Sequence, residues 1–256
     1  MMKLLPLLAL VCVLGCKSNI DAPLPPVKEV PFDYGDASRW LSTAKEVNGY
    51  RYQLQRQRVS LKFTAGAATG TVIAVDSARS FQTMDGFGAA LTGSSAYLLK
   101  KLPDNHRNAL LRELFLPDSN GIGLSYLRIC IGASDFSAYG SYTYDDMPPG
   151  QKDPALQQFS MATREPDLLP VLKEILALVP DLKIMATPWS PPAWMKSNDN
   201  LAGGSLKPEY YAVYAQYFVR YLQAMQAEGI RIDAISPQNE PLHSAAAYPC
   251  LSMSAE

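Results

Sequence analysis

From residue 80 onward the chain alternates short apolar runs with longer stretches of helical spacing, and this alternation constrains the fold more than any other feature. Phe81–Phe87, Gly123–Ile131, Leu182–Ala186 and Ile232–Ile235 read as strands bounded by turn residues. Between them, Pro103–Phe115 places Leu110, Leu111, Leu114 and Phe115 on one side. Pro166–Val179 carries Leu168, Leu169, Leu172, Ile175, Leu176 and Val179 at helical spacing. Pro208–Glu228 lines up Tyr211, Tyr214, Phe218, Leu222 and Met225, with Gly229 beyond its end. Each helix has proline at or near its opening, where first-turn N–H groups have no internal partner; Pro170 leaves the start of the second helix open. Such alternation implies parallel strands, and so an α/β barrel or an open doubly wound sheet. A dinucleotide-binding open sheet should show G-x-G-x-x-G after its first strand. Gly86 and Gly88 fit, but Leu91 takes the third place, which argues against a nucleotide cofactor.

Before residue 80 the period is two. Tyr50, Tyr52 and Leu54 alternate with Arg51, Gln53 and Gln55, and Val59, Leu61 and Phe63 alternate with Ser60, Lys62 and Thr64. Val72–Val75 follows Gly66 and Gly70. The pattern predicts half-buried antiparallel strands within 50–80. Residues 17–49 form a lead-in whose prolines (Pro23, Pro25, Pro26, Pro31) favour a stiff, extended tether. At the start, Lys3 precedes an apolar stretch, Leu4–Leu14, that is too short to span a bilayer. It ends in Val13-Leu14-Gly15-Cys16, which resembles the bacterial lipobox. Residues 1–16 are therefore expected to be a lipoprotein signal, with Cys16 acylated and the chain anchored in the bacterial cell envelope. Lys17, rather than Asp, points away from retention in an inner membrane; an ordinary secretory peptide is the alternative.

Composition excludes several partners. Hydrophobic residues make up 48% of the chain and charged residues 18%, as in a globular protein. A net charge of −1 without a basic block argues against nucleic acid. The two histidines, His106 and His243, and four cysteines without C-x-x-C spacing argue against a metal site. Cys12 falls within the signal. Cys130 lies in an apolar strand pattern, as a small buried hydrophobe would. Cys250 falls in a late loop, and sequence alone cannot supply the geometry for pairing it with Cys130.

The unusual polar and aromatic residues follow the predicted strands: Asp135 after the second, Trp189 and Trp194 after the third, Asn239 and Glu240 after the fourth. In a (β/α)8 barrel these points share the carboxyl-terminal face, where active sites of that fold are built. Glu240 lies between an amide and Pro241, which forces the chain out of the sheet. Each residue also has a structural reading. Glu240 could be a solvated turn residue, Asp135 could cap a local turn, and the tryptophans could be core. Met185 and Tyr217, on apolar stripes, read as core. Aromatic faces beside carboxylates also suit a sugar, whose C–H faces stack on rings while its hydroxyls donate to carboxylates.

Five segments together resemble glycoside hydrolase family 30, the glucosylceramidase and β-1,6-glucanase group, and occur in family order. They are Phe81-Gln82-Thr83-Met84-Asp85-Gly86-Phe87-Gly88-Ala89-Ala90-Leu91-Thr92; Ser125-Tyr126-Leu127-Arg128; Ser134-Asp135-Phe136-Ser137 with Tyr142-Thr143-Tyr144; Thr187–Lys196, including Trp189-Ser190-Pro191-Pro192-Ala193-Trp194; and Gln238-Asn239-Glu240-Pro241. The resemblance implies an α/β fold, a (β/α)8 TIM barrel with a β-sandwich side domain, here the barrel's first half over 81–256. It also implies a retaining β-glycosidase acting on β-glucan, β-glucoside or glucosylceramide-like substrates without a cofactor. Glu240 would be the general acid/base, Asn239 would contact the sugar 2-hydroxyl region, and Asp135 and Trp189 the other hydroxyls; Arg128 would support the carboxylates. Retention needs a second carboxylate about 5–5.5 Å from the first, and in the family this comes from a later strand. A barrel of about 250 residues begun near residue 81 would need roughly another hundred. These 256 residues alone are thus expected to be inactive. A non-catalytic, lipid-anchored glycan-binding protein and a relative acting on xylan or fucosides remain alternatives.

Overall fold

The computed structural model describes residues 33–254 apart from 34, 54, 68, 75, 119, 120, 162 and 163. The chain divides into two compact units, Met1–Phe81 and Gln82–Glu256.

In the first unit, β1 (Trp40–Leu41) pairs antiparallel with β2 (Gln55–Arg56), and the Arg56 guanidinium lies 5.2 Å from the ring centre of Trp40, its cross-strand partner. The three alternating runs are a correction. Among the described residues of those runs, only Gln55 lies in a strand. Leu61 makes a single bridge to Gly35, and Phe63 and Ile73 are 82% and 86% exposed. Alternation yields a strand only where a neighbouring chain accepts its backbone hydrogen bonds, and a two-stranded ribbon by itself is marginal. Among the described residues, Val59–Thr64 finds such a neighbour only at Leu61, and Val72–Ala74 finds none.

The second unit is built on a four-stranded parallel sheet in the order β3-β4-β5-β6, so spatial order follows chain order. The strands are β3 (Gly88–Leu91), β4 (Tyr126–Ile131), β5 (Lys183–Pro188) and β6 (Ala234–Ile235). The helices are α1 (Gly93–Lys101), α2 (Asp104–Phe115), α3 (Leu168–Leu178) and α4 (Tyr211–Ala227), the last entered through a 3-10 turn at Pro208–Tyr210. Register aligns Leu91 with Ile129, Leu127 with Ile184, and Ile129 with Ala186 on one sheet face. These side chains join Ala96, Leu111, Leu172 and Ile175 of the helices in one buried core. Each such aliphatic side chain contributes about 1.5–3 kcal/mol by burial. Ala90, Arg128, Met185 and Ala234 are aligned on the opposite face, the interior of a barrel. Tyr217 is core, as expected, whereas Met185 on that interior face is only half-buried.

The first barrel strand and one helix differ from expectation for local reasons. The first barrel strand begins at Gly88 rather than Phe81, because the glycines govern the entry. A Cβ on Gly88 would lie 1.8 Å from the Tyr126 carbonyl oxygen, and one on Gly86 (φ +146°) 2.0 Å from Ser125 Oγ. Both glycines thus serve close strand pairing. Helix α1 was not expected. It is a short helix of nine residues, opened by Thr92, whose hydroxyl accepts from Ser95 N at 3.2 Å, and closed by Lys100 and Lys101. Pro170 sits in the first turn of α3, where a missing N–H costs no intrahelical bond. Arg107 joins α2 to α3, with its guanidinium 2.7 Å from Glu174 Oε2 and 2.7 Å from Asp104 Oδ1.

Candidate active site

Beyond β6 the backbone keeps its register with β5 for several residues. Ser236 N donates to Ala186 O at 3.1 Å, and Asn239 N donates to Pro188 O at 2.9 Å. The Ser236 and Thr187 hydroxyls meet at 2.9 Å, and Gln238 Nε2 donates to the Trp189 carbonyl at 2.8 Å. This fixes Asn239 at the carboxyl end of the sheet. The next residue, Glu240, takes φ +44°, which carries the chain sideways and leaves its side chain exposed at the rim. A left-handed conformation at a non-glycine residue costs on the order of 1–3 kcal/mol and is characteristic of functional sites.

Arg128, from the middle of β4, ties this corner together. Its Nη2 donates to Asn239 Oδ1 at 2.7 Å, and its guanidinium lies 4.8 Å from the Trp189 ring centre. With Oδ1 engaged, the Asn239 amide nitrogen is turned to Glu240 Oε2, 3.1 Å away. Arg128, Trp189, Asn239 and Glu240, drawn from β4 and the loops after β5 and β6, therefore form one connected cluster. Trp189 is 5% exposed, its ring held against the arginine cation.

Asp135 is exposed on the loop after β4. The turn there is made by hydroxyls: Ser134 N donates to Ser137 Oγ at 2.8 Å, and Phe136 N to Ser134 Oγ at 3.0 Å. The Asp135 carboxylate caps nothing among the described residues. The Tyr248 phenol is raised by partial burial and then by the charges of Glu240 and Asp135. Asp135 follows β4 and Glu240 follows β6, both on the carboxyl side of the parallel sheet. Trp194 is core instead: its Nε1 donates to Asp145 O at 3.0 Å and its ring meets Tyr210 edge-on.

Several residues without an assigned role prove central to the architecture. Lys196 is fully buried, and its Nζ contacts Ser190 Oγ at 2.9 Å, Leu201 O at 2.5 Å and Cys250 O at 2.7 Å. Burial lowers its ammonium to about 8, yet three acceptors match the three N–H groups of the charged form. Glu165 is buried with Oε1 accepting from Tyr142 Oη at 3.0 Å and Tyr144 Oη at 2.7 Å, and burial raises its carboxyl to about 7. His243 Nε2 lies 2.7 Å from Tyr248 Oη, and His243 N donates to Glu240 O at 2.8 Å. The motif Tyr142-Thr143-Tyr144 and the end of the Trp189–Lys196 run pointed to this region, but a buried lysine and a buried glutamate leave no local pattern. Cys130 and Cys250 are both buried free thiols. Cys16 lies outside the described residues. Among the described residues no group of His, Cys, Asp and Glu could hold a metal ion, and no helix is long and apolar enough to cross a membrane.

A parallel β/α sheet with its polar cluster at the carboxyl ends of β4, β5 and β6 is the first part of a TIM barrel, carrying residues where that fold builds its sites. Residues 84–255 match the glycosyl hydrolase family 30 TIM-barrel domain, and the chain belongs to that family. Among its relatives, an endo-1,6-beta-D-glucanase of Neurospora crassa is 43% identical over 174 residues, 66% of this chain and 36% of that protein. The lysosomal acid glucosylceramidase of Mus musculus is 30% identical over 222 residues, 80% of this chain and 42% of that one. A solved structure of an endo-beta1,6-glucanase superposes with a TM-score of 0.65 at 41% identity, covering 79% of this chain and 43% of that one. The chain thus spans about two-fifths of the length of these relatives.

Proposed function

We propose that the chain carries the acid/base half of a retaining β-glycosidase that cleaves β-glucosidic bonds by double displacement. The observation that supports this most is the chain of contacts Trp189–Arg128–Asn239–Glu240, which holds one carboxylic acid at the barrel mouth beside an amide donor. In the first step Glu240 protonates the leaving glycosidic oxygen as the anomeric carbon is attacked from the opposite face. In the second step the same group, now a carboxylate, takes a proton from water as that water attacks the glycosyl–enzyme bond. Asn239 would orient the sugar near its 2-hydroxyl, Asp135 would accept from hydroxyls on the far side, and Trp189 would form the floor. The nucleophilic carboxylate would come from a barrel strand later than β6, and the 256 residues alone would show no turnover. The names of the relatives favour glucans or glucosides as substrates.

The test is Glu240→Gln in a chain extended through the remaining barrel strands. Hydrolysis of glucosides with poor leaving groups should slow at least a hundredfold more than that of activated aryl glucosides, because only the former need protonation. Equal slowing of both would remove Glu240 from the acid role. We propose in addition that Cys16 is acylated and holds the protein at the bacterial envelope. Radiolabelled palmitate should enter the wild-type chain and not Cys16→Ser; label in both would refute the anchor.

A further inference from the structure

Gln238, directly before Asn239 and Glu240, is a buried polar side chain, 7% exposed. Its amide nitrogen reaches two carbonyls at once, Trp189 O at 2.8 Å and Asn239 O at 2.9 Å. We propose that Gln238 is a positioning residue for Glu240: it clamps the peptide between Asn239 and Glu240 to the loop after β5, and so holds the Glu240 carboxyl where it can serve the leaving oxygen. The proposal rests on the glycosidase reading above.

Three observations carry it. The first is backbone geometry. Glu240 has φ +44°, in the left-handed region that residues with a Cβ rarely adopt. That angle is set by the peptide before the Glu240 Cα relative to the carbonyl after it. The preceding peptide carries the Asn239 carbonyl, which accepts from Gln238 Nε2. The following carbonyl, Glu240 O, accepts from His243 N at 2.8 Å. Both sides of the Cα are thus pinned, one of them by a side chain. A strained angle persists only where its surroundings over-determine it. Loss of the Gln238 bonds frees the preceding peptide to turn toward an unstrained angle, and the Glu240 side chain turns with it.

The second observation is what the clamp is tied to. Trp189 O belongs to the residue whose ring lies against the Arg128 guanidinium, and Arg128 in turn holds Asn239 Oδ1. Gln238 therefore closes a ring of contacts through Trp189, Arg128 and Asn239, and fixes the Asn239 carbonyl while Arg128 fixes its side chain. The third is an unspent acceptor. Gln238 Oε1 is buried and has no partner among the described residues. The amide cannot turn over to relieve it, because its oxygen would then face two carbonyl oxygens. A buried acceptor without a donor disfavours folding, and a methionine of similar length would avoid it. What glutamine adds over methionine is the pair of bonds to Trp189 O and Asn239 O.

The test compares kcat/KM for methyl β-glucoside and dinitrophenyl β-glucoside in the extended chain. Gln238→Met removes both donors, and Gln238→Glu keeps the shape but offers at most one O–H for two carbonyls. A displacement of about 1 Å at a reacting group costs on the order of a hundredfold. Each variant should lower kcat/KM for the methyl glucoside at least tenfold and leave the dinitrophenyl glucoside within twofold, since only the former needs protonation as its bond breaks. Thermal midpoints establish which variants are folded. A folded variant that slows both substrates equally, or neither, overturns the positioning role, provided Glu240→Gln separates the two substrates. If Glu240→Gln does not separate them, the acid reading itself falls and the role of Gln238 falls with it. The unmutated protein decides if neither variant folds: by NMR the Gln238 side-chain amide protons should exchange with solvent at least tenfold more slowly than those of the exposed Gln223. Equal exchange at the two glutamines overturns the clamp.

Discussion

Glu165 makes the stability of this protein depend on pH in an unusual direction. Its carboxyl is 4% exposed, shares Oε1 between two tyrosine hydroxyls, and is moved by burial from 4.5 to about 7. The folded state therefore holds a proton that the unfolded chain releases, and stability falls as pH rises. The contribution is full below about pH 4.5 and lost as pH passes through about 7. A displacement of roughly 2.5 units at 1.36 kcal/mol per unit is about 3 kcal/mol. Asp145 acts with the same sign: burial, then the neighbouring Asp153 carboxylate, raises it from 3.8 to about 7. Glu165→Gln keeps an oxygen for both tyrosines and removes the titration. Urea denaturation at pH 4.5 and pH 8 should show the wild-type chain losing about 3 kcal/mol more than the variant across that interval. Parallel pH dependences in the two proteins, or a wild type that gains stability toward pH 8, would refute the reasoning.

Three further predictions follow from single contacts. Lys196→Met leaves the buried Cys250 carbonyl without its donor and takes one of two donors from Leu201 O, which keeps Cys250 N, and should cost about 2–3 kcal/mol by urea denaturation; a cost below about 1 kcal/mol would show that the cage is not structural. Gly88→Ala places a methyl carbon against the Tyr126 carbonyl, and the strands must part. A loss of about 2 kcal/mol or more is expected in the same assay, and a neutral result would contradict the close pairing. Arg128→Lys keeps the charge but loses the planar face over Trp189 and the short bond to Asn239. In the extended chain about 2 kcal/mol of positioning, roughly thirtyfold in kcat/KM, should disappear. An unchanged kcat/KM would remove Arg128 from that role.

The parts of the fold that sequence made legible are those where burial is periodic. The stripe on α4 and the leucines of α3 announce helices because one face is buried turn after turn, although on α4 that face is Tyr214, Tyr217, Tyr221 and Met225 while the expected Tyr211 is exposed. The convergence of Asn239, Trp189 and Arg128 was legible because parallel strands put all their carboxyl ends at one face. Helix α1 was not, since only Ala96 is buried in its nine residues and no stripe develops. The strands expected around Phe63 and Ile73 failed for the complementary reason: alternation was present without a partner strand. Lys196 was hidden because its three acceptors come from residues 190, 201 and 250, a meeting that only the folded loops create. The turn-cap reading of Asp135 was settled by the hydroxyls of Ser134 and Ser137, which take that place.

Glycosyl transfer to azide probes the role of Glu240 most directly. In the extended chain, Glu240→Ala acting on an activated aryl β-glucoside should stall after the first displacement, and added azide should restore turnover with a β-configured glucosyl azide as product. Absence of rescue, or an α-configured azide, would contradict the placement of the proton-transferring carboxyl at this corner of the barrel.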